Sequence, residues 1–189
     1  MKNYFIIAGA GDTPFDNWYN SVRVELISRG FNVVVPFMPN GDFSNYKAWE
    51  RVLNSYVKIG QINKQTTIIA HDSACAFVGK FIAKNHVNIN GIIAVSPFNT
   101  MLGAAEDKLT KSFICKNEIL AKTEKYVKFY HAITSTNDPV IADAVFDKFI
   151  EVTGAKPHKI EAAGHFSTES GYNTFPELVS LIEEINKIV

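Results

Sequence analysis

Asp72 is the residue whose surroundings most clearly predict chemistry. Residues 66–69 form a short run of β-favouring residues, and apolar residues recur at helical spacing from Ala74 onward. A strand, a tight turn and a helix in this order are the layout of a nucleophile elbow, which holds one side chain above the end of a parallel strand. Strand and helix nearly touch there, so the residues two before and two after the raised side chain must be small. Ala70 and Ala74 bracket Asp72 in this way.

The neighbouring hydroxyl group fits the raised position less well. If Ser73 occupied it, His71 and Cys75 would be the bracketing residues, and an imidazole would have to fit where only a small side chain has room. The sequence therefore predicts an elbow that carries Asp72 where most enzymes with this turn carry serine.

Asp138 and His165 are the predicted partners of the elbow residue. Asp138 follows the fifth predicted strand, within residues 137–139, and His165 follows the sixth, within residues 164–166. The chain order of elbow residue, acid and histidine is that of α/β-hydrolases. In such a triad His165 lies within reach of the elbow side chain or of a water beside it. Asp138 accepts a hydrogen bond from the far ring nitrogen and fixes the tautomer.

Two backbone N–H groups are the expected oxyanion hole. One belongs to Ser73, at the start of the elbow helix, and the other to Ala10, in the loop after the first strand. The binding cavity is expected to be small and bounded by residues 9–15, residues 97–102 and Phe166. The remaining histidines have no matched partner in the sequence and are interpreted as structural: His71, His86, His131 and His158.

The elements that must position these groups alternate along the chain. The predicted strands cover residues 4–8, 33–37, 66–69, 90–95, 126–133 and 159–162. The apolar stripes of the helices begin at Phe15, Trp49, Ala74, Ile141 and Leu178. Residues 100–123 are expected to form a short helical excursion. The last helix opens on a capping box over residues 174–177, with Pro176 in its first turn.

This alternation predicts an α/β fold. We expect one domain over residues 1–189, with a three-layer sandwich of about six mainly parallel strands, helices on both faces and no large cap domain. The functional groups of such a sheet gather at the carboxyl ends of its strands. Asp72, Asp138 and His165 all follow predicted strands, so they are expected to meet at one edge.

Composition narrows the classes of function. The chain of 189 residues has 19 basic and 19 acidic residues, so its charge favours neither a nucleic-acid nor a membrane partner. Its N-terminal apolar stretch is too short for a signal peptide, and none approaches the ~18 apolar residues of a membrane span, so a cytoplasmic location is expected. No metal or cofactor spacing is present. The expected partner is a small-molecule substrate, and self-association into a homo-oligomer stays open.

Nearly the full length of the chain resembles the small single-domain serine hydrolases related to retinoblastoma-binding protein 9, in the α/β-hydrolase superfamily. The resemblance is strongest in residues 68–74, 92–98, 137–139 and 164–166. It implies a compact hydrolase without a cap, a triad to which Asp138 and His165 contribute, and carboxylester-type or unassigned substrates. The chain departs from the family motif Gly-His-Ser-x-Gly at the elbow, where Asp72 stands in place of the serine.

Three interpretations of Asp72 are open. In the first it is a working nucleophile, as in haloalkane dehalogenases and epoxide hydrolases, where an aspartate attacks a saturated carbon and activated water hydrolyses the resulting ester. The halide-binding tryptophan and the tyrosine-bearing cap of those enzymes are missing, because Ser73 follows Asp72 and the chain is short. In the second, another group such as Ser73 is the nucleophile of the hydrolase.

In the third interpretation the protein is an inactive binding or interaction protein that keeps the fold. Asp72 and His165 would then form a structural ion pair, and Asp138 would help to hold the imidazole in its cationic form. An engineered serine-to-aspartate change would leave the same sequence. Attack of an aspartate on an ester would give an anhydride, which is unproductive, so an ester substrate fits the first interpretation less well than an alkyl substrate.

Overall fold

One parallel sheet organises the chain. The structure is a computed structural model, and it describes residues 2–41, 44–103 and 107–188. The described residues form six strands: β1 (Asn3–Ile7), β2 (Asn32–Val34), β3 (Thr66–His71), β4 (Gly91–Val95), β5 (Phe129–Ser135) and β6 (Lys156–Ile160). Their order across the sheet is β2-β1-β3-β4-β5-β6, and every neighbouring pair is parallel. The carboxyl ends of all six strands therefore lie along one edge.

Helices connect the strands and cover both faces of the sheet. They are α1 (Tyr19–Ser28), α2 (Tyr46–Lys58), α3 (Ala74–Asn85), α4 (Asp107–Thr110), α5 (Asn117–Ala121), α6 (Asp143–Thr153) and α7 (Pro176–Ile188). Short 3₁₀ helices cover Lys122–Tyr126 and Thr168–Ser170. The predicted helical excursion at 100–123 corresponds to α4, α5 and the start of the first 3₁₀ helix, and its residues 104–106 lie outside the described ranges.

The alternation of side chains along the strands creates two cores. In β1, Phe5 and Ile7 pack with the helices α2 and α3 on one face, whereas Tyr4 and Ile6 pack with α1 and α7 on the other. Every residue of β3 and β4 is buried, as expected for central strands covered on both sides. The predicted α/β sandwich with a parallel sheet is therefore confirmed.

Several predicted boundaries are wrong for local physical reasons. The second strand ends at Val34 rather than at residue 37, because Pro36 has no N–H to donate to a ladder. The predicted stripe of α1 included Phe15, but the helix begins at Tyr19 and Phe15 is 71% exposed. The elbow strand continues to His71, since its pairing with β4 extends to Val95.

The ends of the last two strands also differ from the prediction. The fifth strand begins at Phe129 and not at residue 126, because Tyr126 closes a 3₁₀ helix. The sixth begins at Lys156, three residues earlier than predicted, because Pro157 is tolerated on this edge strand. In the described ranges, no helix has both the length and the apolar character needed to cross a membrane.

Candidate active site

Three side chains meet at the carboxyl edge of the sheet. Asp72 follows β3, Asp138 follows β5 and His165 follows β6. The Nδ1 atom of His165 lies 2.9 Å from Asp138 Oδ2 and 3.1 Å from Oδ1, and its Nε2 atom lies 3.4 Å from Asp72 Oδ1. The imidazole thus stands between two carboxylates, in the arrangement that the sequence predicts.

The backbone at Asp72 has the geometry of a nucleophile elbow. Its φ is +55°, a left-handed conformation that costs a non-glycine residue about 1–3 kcal/mol and is typical of functional sites. The N–H of Asp72 donates to Val95 O at 2.9 Å, and its carbonyl accepts from the N–H of Cys75 at 3.0 Å. The bracketing residues Ala70 and Ala74 are fully buried, so larger side chains would not fit.

Gly9 provides the space in front of the elbow. A Cβ at this residue would lie 3.2 Å from Asp72 Oδ2 and 3.3 Å from Asp72 Cβ, closer than ordinary van der Waals contact. The absence of a side chain here therefore lets the first loop approach the carboxylate.

Asp138 is a fully hydrogen-bonded, buried carboxylate. Oδ1 accepts from the backbone N–H groups of Val140 and Ile141, and Oδ2 accepts from Ser96 Oγ at 2.8 Å in addition to His165. Burial raises its pKa, but the hydrogen bond and charge of His165, together with the two backbone donors, outweigh burial and hold the pKa below its ordinary value. Asp138 is therefore ionised and fixes the imidazole.

The two carboxylates determine the charge of His165. Burial alone lowers the pKa of the imidazole, but the hydrogen bonds and charges of Asp138 and Asp72 raise it from its ordinary 6.5 to about 9. At neutral pH His165 is an imidazolium ion in the resting site.

Asp72 is held in its ionised form. Burial raises the pKa of this carboxyl group, whereas the hydrogen bond and charge of His165 and the backbone N–H of Ser73 lower it, and the net shift is downward. The side chain keeps 23% of its surface exposed. The elbow therefore presents an anionic, partly exposed carboxylate.

The predicted oxyanion hole is only partly available. The backbone N–H of Ser73 contacts the Asp72 carboxylate, as expected for a donor at the elbow. The N–H of Ala10, however, donates to Ser73 Oγ at 2.9 Å, so this donor is occupied in the resting structure. The same bond anchors the Ser73 hydroxyl, which is fully buried.

Sequence analysis missed a buried chain of polar groups behind the site. Tyr19 Oη lies 2.5 Å from Asp12 Oδ2 and 2.7 Å from His71 Nδ1, and His71 Nε2 contacts the carbonyl oxygen of His165 at 3.0 Å. The interpretation of His71 as a histidine without a partner is therefore wrong. The available signal was its position directly before the elbow residue, together with the placement of Asp12 in a strand-end loop.

Two other histidines for which the sequence shows no matched partner contact each other. His131 Nδ1 and His158 Nε2 lie 2.7 Å apart on the adjacent strands β5 and β6, so these rings are partners. Burial and the neighbouring ring lower the pKa of His131 to about 4. Across the described ranges, no three His, Cys, Asp or Glu side chains are grouped in a way that could hold a metal ion.

Asp72 and His165 line a cavity of about 910 Å³, at the large end of the range for small-molecule sites. The loop after β1 and residues Phe98 and Leu102 border it as predicted. The expectation of a small cavity is wrong, and Phe166 does not line it, because this ring is buried against Tyr172 and Phe175. The acidic side chains among the lining residues are Asp12, Asp16, Asp72, Asp107 and Glu169.

Comparison with known proteins places this architecture in a family. A family model described as "Serine hydrolase" matches residues 4–184, almost the entire chain. The chain belongs to the serine hydrolase family. This membership confirms the resemblance seen in the sequence and supports a hydrolase. No curated protein sequence matches the chain.

Several solved structures have the same fold as this member of the serine hydrolase family. The ydeN gene product of B. subtilis superimposes with a TM-score of 0.84 at 19% identity, over 97% of this chain and 98% of the other. Est1E of Butyrivibrio proteoclasticus, solved with ferulic acid, gives 0.75 at 14% identity, over 100% and 88%. A carboxylesterase of Nitrososphaera gargenis gives 0.70 at 14% identity, over 100% and 92%. At these identities the likeness concerns the α/β-hydrolase fold.

Proposed function

We propose that this protein is a hydrolase that attacks a saturated carbon of a small alkyl substrate with the carboxylate of Asp72. The observation that carries this proposal is the ionised Asp72 on a strained elbow, in hydrogen-bond range of a histidine that Asp138 orients. A carboxylate is a competent nucleophile towards an alkyl carbon bearing a leaving group, and the product is an alkyl ester of the enzyme.

The second step regenerates the enzyme. Water attacks the carbonyl carbon of the Asp72 ester while His165 takes a proton from that water. The tetrahedral intermediate then breaks the bond to the alkyl-bearing oxygen, which came from the carboxylate, and this oxygen takes the proton of His165 as the alcohol leaves. The N–H of Ser73, which already contacts the Asp72 carboxylate, would stabilise the oxyanion of the tetrahedral intermediate. Asp138 stays ionised and stabilises the imidazolium ion that forms.

The charge of His165 fits this order of events. Before alkylation the imidazole is protonated, since two carboxylates flank it. Ester formation neutralises Asp72 and removes one of the two charges that raise the pKa. His165 can then release its proton and act as a base towards water. Acyl transfer from an ester substrate is disfavoured, because attack by Asp72 would create an anhydride.

The oxygen of the product tests the covalent step. A single turnover of bromobutane by excess protein in oxygen-18 water should place the heavy oxygen in the peptide that contains Asp72 and leave the first butanol unlabelled. His165→Gln should accumulate a butyl adduct on the same peptide, because its base is lost. Asp72→Asn should do neither, whereas Asp147→Asn, at an exposed position on α6, should behave as the parent protein.

The alternatives predict other outcomes. An inactive binding protein, for which the resting ion pair of Asp72 and His165 is also suitable, would give no adduct and no label in any variant. A serine nucleophile at Ser73 would react with a fluorophosphonate probe in the parent protein. We expect no such labelling, because the Ser73 hydroxyl is buried and bonded to Ala10. Asp72→Ser should gain labelling at position 72.

A further inference from the structure

One wall of the cavity that Asp72 lines is suited to bind a charged group of the substrate. This α4 wall consists of Asp107 and Thr110, which lie three residues apart on α4 and therefore on one face of it. Both residues line the cavity together with Asp72 and His165. The role of the α4 wall deepens the proposed function and rests on it, because it concerns the kind of substrate that the same cavity admits.

The hydroxyl group of Thr110 has no hydrogen-bond partner. The residue is only 5% exposed, and its Oγ1 atom is buried without a donor or an acceptor in range in the part of the chain that the structure describes. A buried polar group without a partner is destabilising, and native proteins contain few of them. Because Thr110 lines the cavity, a polar group of a bound substrate can be the partner that the chain does not provide.

Asp107 is a buried carboxylate without a cationic partner. It is 8% exposed, and its Oδ1 and Oδ2 atoms accept from the backbone N–H groups of Leu102 at 3.0 Å and Gly103 at 2.7 Å. Among the described residues, no lysine, arginine or histidine forms an ion pair with it. Each carboxylate oxygen can accept more than one hydrogen bond, and a buried charge is stable when it is paired. A cationic group of the substrate would complete that pair.

The rest of the cavity favours the same sign of charge in its substrate. Five of the lining residues carry a carboxyl group: Asp12, Asp16, Asp72, Asp107 and Glu169. The described lining contains no lysine or arginine, and the imidazolium of His165 lies between two carboxylates. A cleft lined by one sign of charge concentrates substrates of the opposite charge and speeds their association.

We propose that the substrate carries a primary ammonium group at the end of its alkyl chain, and that Thr110 and Asp107 bind this group while Asp72 attacks the carbon at the other end. An ammonium group has three N–H donors and no acceptor, so it can donate both to Thr110 Oγ1 and to the Asp107 carboxylate. The alkyl chain would lie along the apolar lining residues, which are Phe98, Leu102, Pro139 and Val140. The bond from Asp72 to the attacked carbon forms as the leaving group departs with the electrons of its bond, and the ammonium group keeps its protons.

Three primary bromides with the same hexyl chain test this inference. They are bromohexylammonium, bromoheptane and bromoheptanoate, which end in a cation, a methyl group and a carboxylate. The second-order rate of Asp72 alkylation would be measured for each by protein mass spectrometry. The parent protein should react at least about 10-fold faster with bromohexylammonium than with bromoheptane, and slowest with bromoheptanoate. The difference should shrink in about 1 M salt, which screens the attraction at the exposed carboxylates.

Variants of Thr110 locate the ammonium site. Thr110→Val removes the hydroxyl at nearly the same size and should lower the ratio of the bromohexylammonium rate to the bromoheptane rate by about 10-fold. Thr110→Ser, which keeps the hydroxyl, should recover most of this ratio. Asp147→Asn removes a carboxylate at an exposed position on α6, outside the cavity, and should leave the ratio as in the parent. Both rates are measured on the same protein, so the ratio does not depend on the fraction that is folded.

Each other result has a definite meaning. Equal rates with bromohexylammonium and bromoheptane in the parent, or a preference for bromoheptanoate, would overturn the inference, while alkylation by bromoheptane would leave the proposed function intact. A ratio that Thr110→Val does not change would also overturn it, because the ammonium group would then bind elsewhere. If none of the three bromides alkylates Asp72, the proposed function fails and the inference fails with it.

Discussion

The charge of His165 is the property on which the proposed reaction depends, and Asp72→Asn isolates its cause. The shift of the pKa from 6.5 to about 9 corresponds to roughly 3 kcal/mol of preferential interaction with the protonated ring. The side chain of Asp138 is fully buried, and its Oδ2 atom lies 2.9 Å from His165 Nδ1. The side chain of Asp72 is partly exposed, and its Oδ1 atom lies 3.4 Å from His165 Nε2. Asp138 should therefore contribute the larger share.

We expect Asp72→Asn to lower the pKa of His165 by about 1–2 pH units, the usual effect of one opposite charge at this distance. Asparagine keeps the size of the side chain, so the ring should not move. The assay is a titration of the His165 ring signals by proton–carbon NMR between about pH 5 and 11. This range covers both the ordinary histidine pKa of 6.5 and the raised value of about 9. Asp147→Asn, with the same change of charge on the exposed face of α6, should leave the curve unchanged.

The sign of the effect on stability follows from the same shift. Since the folded-state pKa of His165 is raised, its stabilising contribution is complete below pH 6.5 and disappears as the pH rises through about 9. Asp72→Asn should reduce the alkaline loss of stability. Two results would refute the explanation by two carboxylates: a pKa of His165 near 6.5 in the parent protein, or the same pKa of His165 in Asp72→Asn as in the parent. Either result would also show that His165 does not depend on alkylation of Asp72 to become a base.

Three further predictions concern the surroundings of the triad. Gly9→Ala should cut the alkylation rate at least about 10-fold with little change in Tm, because its Cβ would displace the Asp72 carboxylate. Ser96→Ala should lower the free energy of unfolding by about 1.5–3 kcal/mol in urea and move acid unfolding to higher pH, since Asp138 loses a donor that favours its ionised form. The pKa of His71 is lowered from 6.5 to about 4, so the parent should lose roughly 3 kcal/mol of stability as the pH falls through that window, and His71→Gln should flatten this slope.

The convergence of Asp72, Asp138 and His165 at one edge could be predicted because their positions follow from topology. Parallel strands bring their carboxyl ends to one edge, and Asp72, Asp138 and His165 each follow a strand with a clear apolar pattern. The small residues around Asp72 also determined the register of the elbow. None of this required knowledge of how distant side chains pack.

The network behind the triad could not be predicted, because it depends on packing between segments distant in sequence. The hydroxyl of Tyr19 belongs to a helix whose apolar stripe gave no sign that it would reach His71. Phe15 was placed in that stripe on spacing alone, although the chain turns before the helix begins. The occupied N–H of Ala10 likewise depends on where the Ser73 hydroxyl points, which no local pattern specifies.

The two carboxylates around His165 impose an order on the proposed reaction. An imidazolium bonded on both sides cannot remove a proton from water, so the resting enzyme does not activate water before it has a substrate. Alkylation of Asp72 neutralises the carboxylate next to Nε2 and leaves Asp138 as the sole strong partner. The pKa of the ring then falls, and Nε2 becomes a base beside the ester that must be hydrolysed. Asp72 stands where the family motif has serine, and its neutralisation by the substrate thus determines when His165 can act as the base for ester hydrolysis.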